Sequence, residues 1–390
     1  MPARILVSAG EASGDHYAAG VVRALRGMLP GVEFFGCTGE ELRAAGVETV
    51  VDAASLSVVG LVEVLHHIPR IYGEFRKLVR AARNNPPDAA ILTDSPDFHL
   101  RLAAKLRAMG VPVFYLVAPQ AWAWRSGRAR VLQRNVQELH CIFPFEEEFF
   151  RARGVNAHYI GHPLAGSVRP RFSREEFLTR YGIPAERPIV TLCPGSRRGE
   201  SARHFGPLRE AVELIAARTD ATFLLAVPGD ALERYGAEFY APLTAAGRVR
   251  AISGETRDAM AHATVTLAAS GTVVMEAALL GAPVVAFYRV TPVTWRIGRP
   301  LVKVPFFTMV NLVAGRQVVP ELIQSQMTGE RLAAEALKLL ESEPARAEMK
   351  AGLDEVAGVL AGTGDPLQKS AGRIAAYLNG RGKACRSSMR

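Results

Sequence analysis

The sequence predicts an α/β protein of two domains, each built on a parallel β-sheet. Short apolar runs alternate with helical segments along most of the chain, and this alternation is typical of parallel sheets covered by helices. The runs are rich in Val, Ile and Leu, as expected of strands that are buried on both faces. A length of 390 residues is more than one hydrophobic core usually supports, so we expect two domains.

The strand pattern recurs in both halves of the chain, and helical segments such as 100–109 and 200–218 separate the strands. The first half contains strand candidates at 4–8, 33–37, 89–93, 111–117, 138–142 and 157–160. The second half contains candidates at 189–193, 222–227, 249–252, 265–268 and 284–287.

Prolines and polar residues interrupt this pattern between residues 162 and 188, so the domain boundary is expected there. We predict a first Rossmann-like domain over 1–165. A second Rossmann-like domain is expected over 166–345. The remaining residues, 346–390, are expected to form helices that pack back on the first domain and end in a basic tail.

Composition narrows the class of protein. Hydrophobic residues make up 49% and charged residues 22% of the chain, which is normal for a folded globular protein. The formal net charge of +9 favours anionic partners, such as nucleotides, nucleic acid or an acidic membrane surface. The four cysteines lie far apart without a CxxC pair, which favours reduced thiols and argues against a zinc site. No signal peptide pattern precedes the first strand. Residues 260–288 are apolar, but glycines and a proline interrupt them, so we expect a buried strand–helix–strand unit.

Two acidic residues lie on turns that follow predicted strands. Glu11 lies in the turn after the first strand, and Asp94 directly follows the apolar run 90–92. Ligands of open α/β sheets bind at the carboxyl ends of the strands, so both side chains are expected in a cleft between the two sheets. Asp94 is the candidate general base, whereas Asp97 and Ser13 are expected to cap helices. The motif leaves open whether Asp97 shares the role of the base.

Two turns in the second half have the composition of phosphate-binding sites. Ser196 and Arg197 lie between a strand and a helix that starts near residue 200, where backbone N–H groups and a guanidinium can bind an anion. The segment 270–272 opens another helix, whose free N–H groups suit a diphosphate, and Ser270 could also cap it. Glu276 lies one turn further along, where it could bind a ribose diol. The candidate residues of these turns for binding a nucleoside diphosphate are Ser196, Arg197, Ser270, Gly271, Thr272 and Glu276. The first turn of the chain is not GxGxxG, and no turn contains GK[ST], so neither dinucleotide binding nor NTP hydrolysis is indicated.

Two further segments could contact large partners. Trp122 and Trp124 lie beside arginines and could stack on bases or lie among lipid headgroups, although one of them is expected in the core. No RNA-binding signature accompanies them, so we expect no nucleic-acid partner. Residues 57–78 carry an apolar stripe, interrupted near Pro69 and surrounded by basic residues, which is typical of an interfacial segment on anionic lipid. A core helix is the alternative interpretation. The candidate membrane or acyl-chain contacts are Leu61, Leu65, Ile68 and Tyr72, with Phe75 on the same stripe.

With these motifs, the chain resembles the lipid-A-disaccharide synthase family. Members of this family are glycosyltransferases of the GT-B type. The resemblance covers essentially the whole chain. It rests on GEASGD (10–15), VVGLVEVL (58–65), DSPDF (94–98), APQAWAWR (118–125), FPFE (143–146), IGHP (160–163), CPGSR (193–197), SGT…E (270–276) and NLVAGRQVVPELIQ (311–324). Relatives often have alanine where this chain has Ser95.

The resemblance implies an inverting transfer of 2,3-diacylglucosamine from UDP to the 6-hydroxyl of 2,3-diacylglucosamine 1-phosphate (lipid X). It implies that Asp94 is the essential base and that Glu11, Arg197, Glu276 and Asn311 lie in the active site. It also implies that the domain 1–165 faces the acceptor and the membrane and that the domain 166–345 binds the UDP-sugar. Asn311 rests on the resemblance alone. We therefore expect no cofactor, no metal, a cytoplasmic location at the inner membrane of a Gram-negative cell, and contact with an anionic membrane surface. A homodimer is left open, and the alternative is another GT-B UDP-sugar enzyme, an epimerase or a transferase.

Overall fold

The chain folds into two compact units in a computed structural model that describes residues 2–56, 61–302 and 304–387. Side chains are described for these ranges except 61–68, 301 and 381–387. The first unit combines Met1–Pro163 with Leu360–Arg390, and the second unit is Leu164–Val359. The first boundary thus lies two residues before the expected one. The second lies later than expected, because residues 346–359 belong to the second unit.

The first unit is built on a seven-stranded, all-parallel sheet in the order β3-β2-β1-β4-β5-β6-β7. Its strands are β1 (Arg4–Ala9), β2 (Glu33–Thr38), β3 (Glu48–Asp52), β4 (Ala89–Thr93), β5 (Val113–Leu116), β6 (Glu138–Cys141) and β7 (Ala157–Tyr159). Its helices are α1 (Ala12–Met28), α2 (Glu40–Ala44), α3 (Leu61–Asn84), α4 (Pro96–Ala108), α5 (Arg128–Asn135), α6 (Pro144–Arg151) and, from the end of the chain, α17 (Pro366–Ser387). Helix α17 packs against α1.

The second unit is built on a six-stranded parallel sheet in the order β10-β9-β8-β11-β12-β13. Its strands are β8 (Ile189–Cys193), β9 (Thr222–Val227), β10 (Val249–Ser253), β11 (Val265–Ala269), β12 (Val284–Tyr288) and β13 (Glu321–Ile323). Its helices are α7 (Arg174–Tyr181), α8 (Arg198–Ala216), α9 (Ala231–Tyr235), α10 (Ala237–Thr244), α11 (Thr256–Ala261), α12 (Thr272–Leu279), α13 (Pro292–Gly298), α14 (Met309–Ala314), α15 (Gly329–Glu341) and α16 (Glu343–Ala361), which continues just past the boundary.

The predicted α/β class with two parallel sheets is confirmed, and each predicted strand segment overlaps an observed strand. The apolar segment 260–288 contains the buried unit β11–α12–β12, as expected. One helix differs from the prediction, because α3 continues through Pro69 rather than being interrupted there. In the described part of the chain, no helix combines the length and the apolar character that crossing a bilayer requires.

Each sheet has one point at which the strand order reverses direction. In the first unit the chain runs outward from β1 to β3 and then returns to β4 beside β1, and in the second unit β8 and β11 have the same relationship. The loops that leave two such neighbouring strands diverge, and ligands of open α/β sheets bind in the crevice between them. The acidic turns predicted from the sequence lie at the first of these points, and the phosphate-binding turns lie at the second.

Candidate active-site residues in the two units

Asp94 lies at the reversal point of the first sheet, directly after β4. Its carboxylate accepts hydrogen bonds from two backbone N–H groups of the turn after β1: Gly10 at 2.9 Å and Glu11 at 3.1 Å. The side chain is only 13% exposed. Burial raises the pKa of Asp94 to about 7, although the two N–H donors act in the opposite direction. A carboxyl group with this pKa exchanges its proton near neutral pH.

Glu11 is the residue that immediately precedes α1, and its side chain is exposed. No side-chain hydrogen bond caps α1, and Ser13 lies inside the helix, so the prediction that Ser13 caps it is wrong. The acidic residue Asp15 instead accepts hydrogen bonds from the N–H groups of Gly39 and Glu41 at the start of α2. The turn thus leaves Glu11 beside Asp94 and uses Asp15 to hold a neighbouring helix.

Asp97 does not cap α4, contrary to the prediction. Ser95 occupies the N-cap position, and no side chain forms a capping hydrogen bond at the N-terminus of this helix. The Asp97 carboxylate instead binds Arg128 at 2.8 Å and Arg125 at 3.2 Å, and it is 74% exposed. The carboxylate is therefore neutralised by cations rather than buried, and its environment differs from that of Asp94.

The two tryptophans after β5 have different environments. Trp122 packs against the core and donates a hydrogen bond from Nε1 to Glu146 at 3.0 Å. Trp124 is 37% exposed, and the Arg125 guanidinium lies 4.5 Å from its ring centroid. The expectation that one tryptophan belongs to the core is confirmed.

The second unit contains a pocket of about 680 Å³ at its own reversal point. The loops after β8 and β11 form one part of its wall, and all six candidate residues of these loops line it: Ser196, Arg197, Ser270, Gly271, Thr272 and Glu276. Gly271 precedes α12, and no side chain caps this helix, contrary to the capping role considered for Ser270. The first N–H groups of α12 therefore keep the capacity to bind an anion.

Both arginine and acidic side chains line this pocket: Arg169, Arg171, Arg197 and Arg257 together with Glu200, Asp258 and Glu276. Arg171 pairs with Asp258 at 3.2 Å. Arg257 binds Oε1 of Glu276 through Nη2 at 2.8 Å and Nε at 3.0 Å, and this pairing orients the glutamate. Sequence reasoning missed Arg257, although it lies just after β10, on the same edge of the sheet as the predicted turns. Arg197 before α8 and the free N–H groups at the start of α12 are the groups of this pocket that suit an anionic ligand.

Asn311 does not line this pocket. The side chain is 0% exposed, and its amide nitrogen donates to the carbonyl of Val319 and to Glu321, while its oxygen accepts from the N–H groups of Val318 and Val319. These four bonds join α14 to the segment that leads into β13. The described contacts of Asn311 are therefore structural, and its place in the active site stays a prediction from the resemblance.

The predicted membrane-facing stripe falls partly outside the described side chains. Leu61, Leu65 and Ile68 lie outside them. Tyr72 is 60% exposed, as a contact residue should be, whereas Phe75 packs against the core and touches Phe98 edge-on at 5.7 Å. Phe75, at the C-terminal end of the stripe, therefore lies on the face of α3 that packs against the core. Among the described residues, no group of three or more His, Cys, Asp or Glu side chains is placed to bind a metal ion.

Comparisons with known proteins show the family of this chain. A family model described as "Lipid-A-disaccharide synthetase" matches residues 5–360. A lipid-A-disaccharide synthase of Solibacter usitatus is 61% identical over 364 residues, which cover 93% of this chain and 94% of the relative. The chain belongs to the lipid-A-disaccharide synthase family. It is accordingly a glycosyltransferase of lipid A biosynthesis, as the resemblance implied.

Solved structures show the same fold at low sequence identity. The calicheamicin glycosyltransferase CalG4 has a TM-score of 0.59 at 17% identity, with 97% of this chain and 98% of that chain covered. A putative UDP-N-acetylglucosamine 2-epimerase from Listeria monocytogenes has a TM-score of 0.62 at 14% identity, with 98% of each chain covered. The fold is therefore of the GT-B type, which glycosyltransferases share with sugar-nucleotide epimerases. The fold alone does not choose between the two activities.

Proposed function

We propose that the protein transfers 2,3-diacylglucosamine from UDP-2,3-diacylglucosamine to the 6-hydroxyl of 2,3-diacylglucosamine 1-phosphate. The products are the β-1,6-linked disaccharide 1-phosphate of lipid A and UDP. Family membership supports the reaction class, and the environment of Asp94 is the observation on which the mechanism rests. A buried carboxylate that is held by two N–H groups and titrates near neutral pH suits proton removal from a hydroxyl.

In this mechanism Asp94 acts as the general base. Its carboxylate accepts the proton of the acceptor 6-hydroxyl while that oxygen attacks C1 of the donor sugar from the face opposite UDP. The new C1–O6 bond forms as the bond between C1 and the β-phosphate oxygen breaks, and the bonding electron pair leaves with UDP. One attack from the opposite face inverts the configuration at C1. Glu11, beside Asp94, is proposed to orient the acceptor.

UDP is proposed to bind in the pocket of the second unit. The diphosphate gains negative charge as the glycosidic bond breaks, so donors that are already in place stabilise the transition state more than the ground state. Arg197 and the uncapped start of α12 supply such donors, together with Ser196, Ser270 and Thr272. Glu276, oriented by Arg257, is proposed to accept hydrogen bonds from the ribose hydroxyls. The proposal requires no cofactor.

The proposed activity is tested with the purified protein, UDP-2,3-diacylglucosamine and lipid X. Mass spectrometry should detect the tetra-acylated disaccharide 1-phosphate together with stoichiometric UDP. A parallel reaction contains UDP-N-acetylglucosamine without acceptor. If that reaction produces the 2-epimer and the first one produces no disaccharide, the protein is an epimerase and the proposal fails.

Peripheral binding to the cytoplasmic face of the inner membrane is proposed as the means of access to acylated substrates. One exposed apolar surface in the second unit supports this: Val293 and Ile297, one helical turn apart on α13, are 68% and 66% exposed. Arg296 and Arg299 beside them are also exposed. An apolar face flanked by cations suits an anionic lipid surface. In the first unit, the exposed Tyr72 is close in sequence to the exposed Arg70 and Arg76, so an apolar side chain is again flanked by cations.

A further inference from the structure

His99 is a fully buried histidine that the proposed mechanism does not use. It lies in α4 and has 0% exposure, and each of its ring nitrogens has a hydrogen-bond partner. Nδ1 lies 3.0 Å from the backbone carbonyl oxygen of Asp94, and Nε2 lies 2.8 Å from Oγ of Ser8 in β1. The ring therefore connects β1 to the residue that we propose as the base.

The partners determine where the proton of the ring lies. A carbonyl oxygen can only accept, so Nδ1 carries the hydrogen and donates it to Asp94. Burial lowers the pKa of His99 to about 4, so the ring is neutral at neutral pH. Nε2 of a neutral ring with its hydrogen on Nδ1 has a free lone pair. It accepts the hydroxyl hydrogen of Ser8, which is itself 0% exposed.

Tyr115 supplies a second donor to the same carbonyl oxygen. Its hydroxyl, on β5, lies 2.6 Å from the backbone oxygen of Asp94. Burial raises the pKa of Tyr115 well above its ordinary value, so the hydroxyl keeps its proton and donates it. Two donors thus use both lone pairs of one backbone oxygen, and they come from two elements on different sides of Asp94.

The backbone at this position needs such support. Asp94 has φ of 54° and Ser95 has φ of 35°, so two successive residues with side chains adopt the left-handed conformation. This conformation is strained for residues other than glycine and persists only where surrounding contacts hold it. The direction of the Asp94 side chain depends on this backbone, because an extended Asp94 would point its carboxylate elsewhere.

We infer that His99 and Tyr115 are positioning residues for the base. Their two hydrogen bonds to the carbonyl oxygen of Asp94 hold the left-handed turn and thereby keep the carboxylate against the N–H groups of Gly10 and Glu11. Ser8 fixes the orientation of the His99 ring. The kinetic consequence rests on the proposed function, since it requires that Asp94 be the base. Neither residue touches substrate in this scheme.

The charged groups around Asp94 influence its pKa. Several groups from the packed elements interact electrostatically with Asp94 or with Tyr115, and replacement of His99 leaves all of them in place. They are Glu11 before α1, Cys37 from β2, Asp97 from α4 and Arg128 from α5. A shift of the Asp94 pKa in a His99 variant therefore reports a change in burial rather than the loss of a neighbouring charge.

The test compares His99→Phe, His99→Asn and Tyr115→Phe in the full-length protein. Phenylalanine removes both ring nitrogens, whereas the asparagine amide nitrogen lies near the position of Nδ1 and retains the donor. Tyr115→Phe removes a single oxygen and is the variant least expected to disturb folding. His140→Phe is the matched control, because His140 is also 0% exposed and bonds Ser370 on the other side of the sheet. Each variant is measured for thermal midpoint, kcat, KM for both substrates and the pH dependence of kcat.

We expect His99→Phe and Tyr115→Phe to lower kcat by about 10- to 100-fold, because misplacement of a catalytic group by about 1 Å has effects of this size. KM should change little. The acid limb of the kcat profile should move to lower pH, because a carboxylate that relaxes towards water loses the burial that raises its pKa. His99→Asn should recover most of kcat, and His140→Phe should lose stability without moving the acid limb.

The inference is overturned if folded Tyr115→Phe and His99→Phe both keep the wild-type kcat and acid limb. It is also overturned if His140→Phe moves the acid limb equally, since the effect would then be a general loss of packing. If His99→Phe does not fold, the kcat and the acid limb of Tyr115→Phe and His99→Asn decide the inference. Asp94→Asn separates the two proposals: if it retains activity, the assignment of the base itself fails, whatever the other variants do.

Discussion

The carboxylate of Asp94 occupies the space in which a side chain at Gly14 would begin. A Cβ atom added at Gly14 would overlap Oδ2 of Asp94, and one added at Gly10 would lie 3.0 Å from Oδ1. Gly10 lies in the turn between β1 and α1, whose N–H groups bind the same carboxylate, and Gly14 lies in the first turn of α1. The glycines of GEASGD are therefore explained by the need to bring backbone close to an acidic side chain from a neighbouring strand.

Gly14→Ala should displace the Asp94 carboxylate. We expect kcat to fall by at least about tenfold, because the base moves relative to the acceptor hydroxyl, and the free energy of unfolding to fall by about 1–3 kcal/mol, as in other overpacked sites. Single-turnover kinetics and denaturant unfolding measure the two effects. Gly27→Ala in the same helix is the control. Nothing lies within 4 Å of its added Cβ atom, so it should be neutral or stabilising by about 0.5–1 kcal/mol. Equal kcat values for the two variants would contradict the explanation.

Asp94→Asn should remove most of the turnover and leave UDP binding nearly intact. Loss of a general base typically lowers the rate by about 10²–10⁴-fold, and the UDP pocket is built from other residues. In the wild type, kcat should rise with pH through an inflection near 7, because the carboxylate must be ionised to accept a proton and burial raises its pKa to about 7. The variant should lack this inflection.

Asp97→Asn is the matched control for that experiment. Asp97 lies three residues from Asp94 but is 74% exposed and bound to two arginines, so its replacement should change kcat by less than about threefold, as expected for exposed ion pairs. If Asp94→Asn keeps more than half of the activity and Asp97→Asn does not, the roles of the two carboxylates are reversed.

The sequence was sufficient to identify the turns that lie at both reversal points, because continuous apolar runs identified the strands and the turns after them carried the polar residues. It missed two edge strands, β3 and β13. The edge strand β3 is largely exposed, and β13 has three residues, so neither shows the apolar run of a buried strand. Both lie at ends of their sheets.

Local reasoning also failed for polar residues whose partners are distant in sequence. Capping preferences suggested local roles for Ser13 and Asp97, but Asp97 binds arginines that follow it by 28 and 31 residues. Asp15 holds the start of another helix, and Asn311 joins two segments of the second unit. Such roles depend on the tertiary fold, and no spacing rule within one turn reveals them.

Arg197→Ala should weaken UDP binding. We expect Kd for UDP to rise by about 10- to 100-fold, since a charge-assisted hydrogen bond to phosphate contributes about 1.5–3 kcal/mol. Isothermal titration calorimetry with UDP and with uridine isolates the contribution of the phosphate contact. Because uridine lacks the diphosphate, its affinity should be nearly the same for the variant and the wild type. Arg198→Ala is the control: the Arg198 guanidinium lies 5.3 Å from the ring centroid of Phe239, and the residue does not line the pocket. An unchanged UDP affinity in Arg197→Ala would contradict the proposed binding mode.

The double variant Val293→Ser, Ile297→Ser should reduce binding to vesicles that contain anionic phospholipid. Both side chains are about two-thirds exposed on one face of α13, so serine removes apolar surface without opening a cavity, and the thermal midpoint should change little. Burial of one such side chain contributes about 1.5–3 kcal/mol when complete, so even partial insertion predicts at least about a tenfold loss of vesicle affinity. Replacement of Arg296 and Arg299 by Gln should weaken binding further and reduce its dependence on salt.

The control for the vesicle experiment replaces Leu214 and Val359 by Ser. These apolar side chains are also exposed, at 40% and 42%, but they lie on α8 and α16 rather than on α13. If all exposed apolar residues contributed equally, this variant would lose as much affinity as the α13 variant. Because we attribute binding to an apolar face with flanking cations, the control should keep wild-type affinity in a sedimentation assay. Equal losses in the two variants would mean that α13 is not a specific lipid contact, and the proposal would then have to rest on Tyr72 and its surroundings in the first unit.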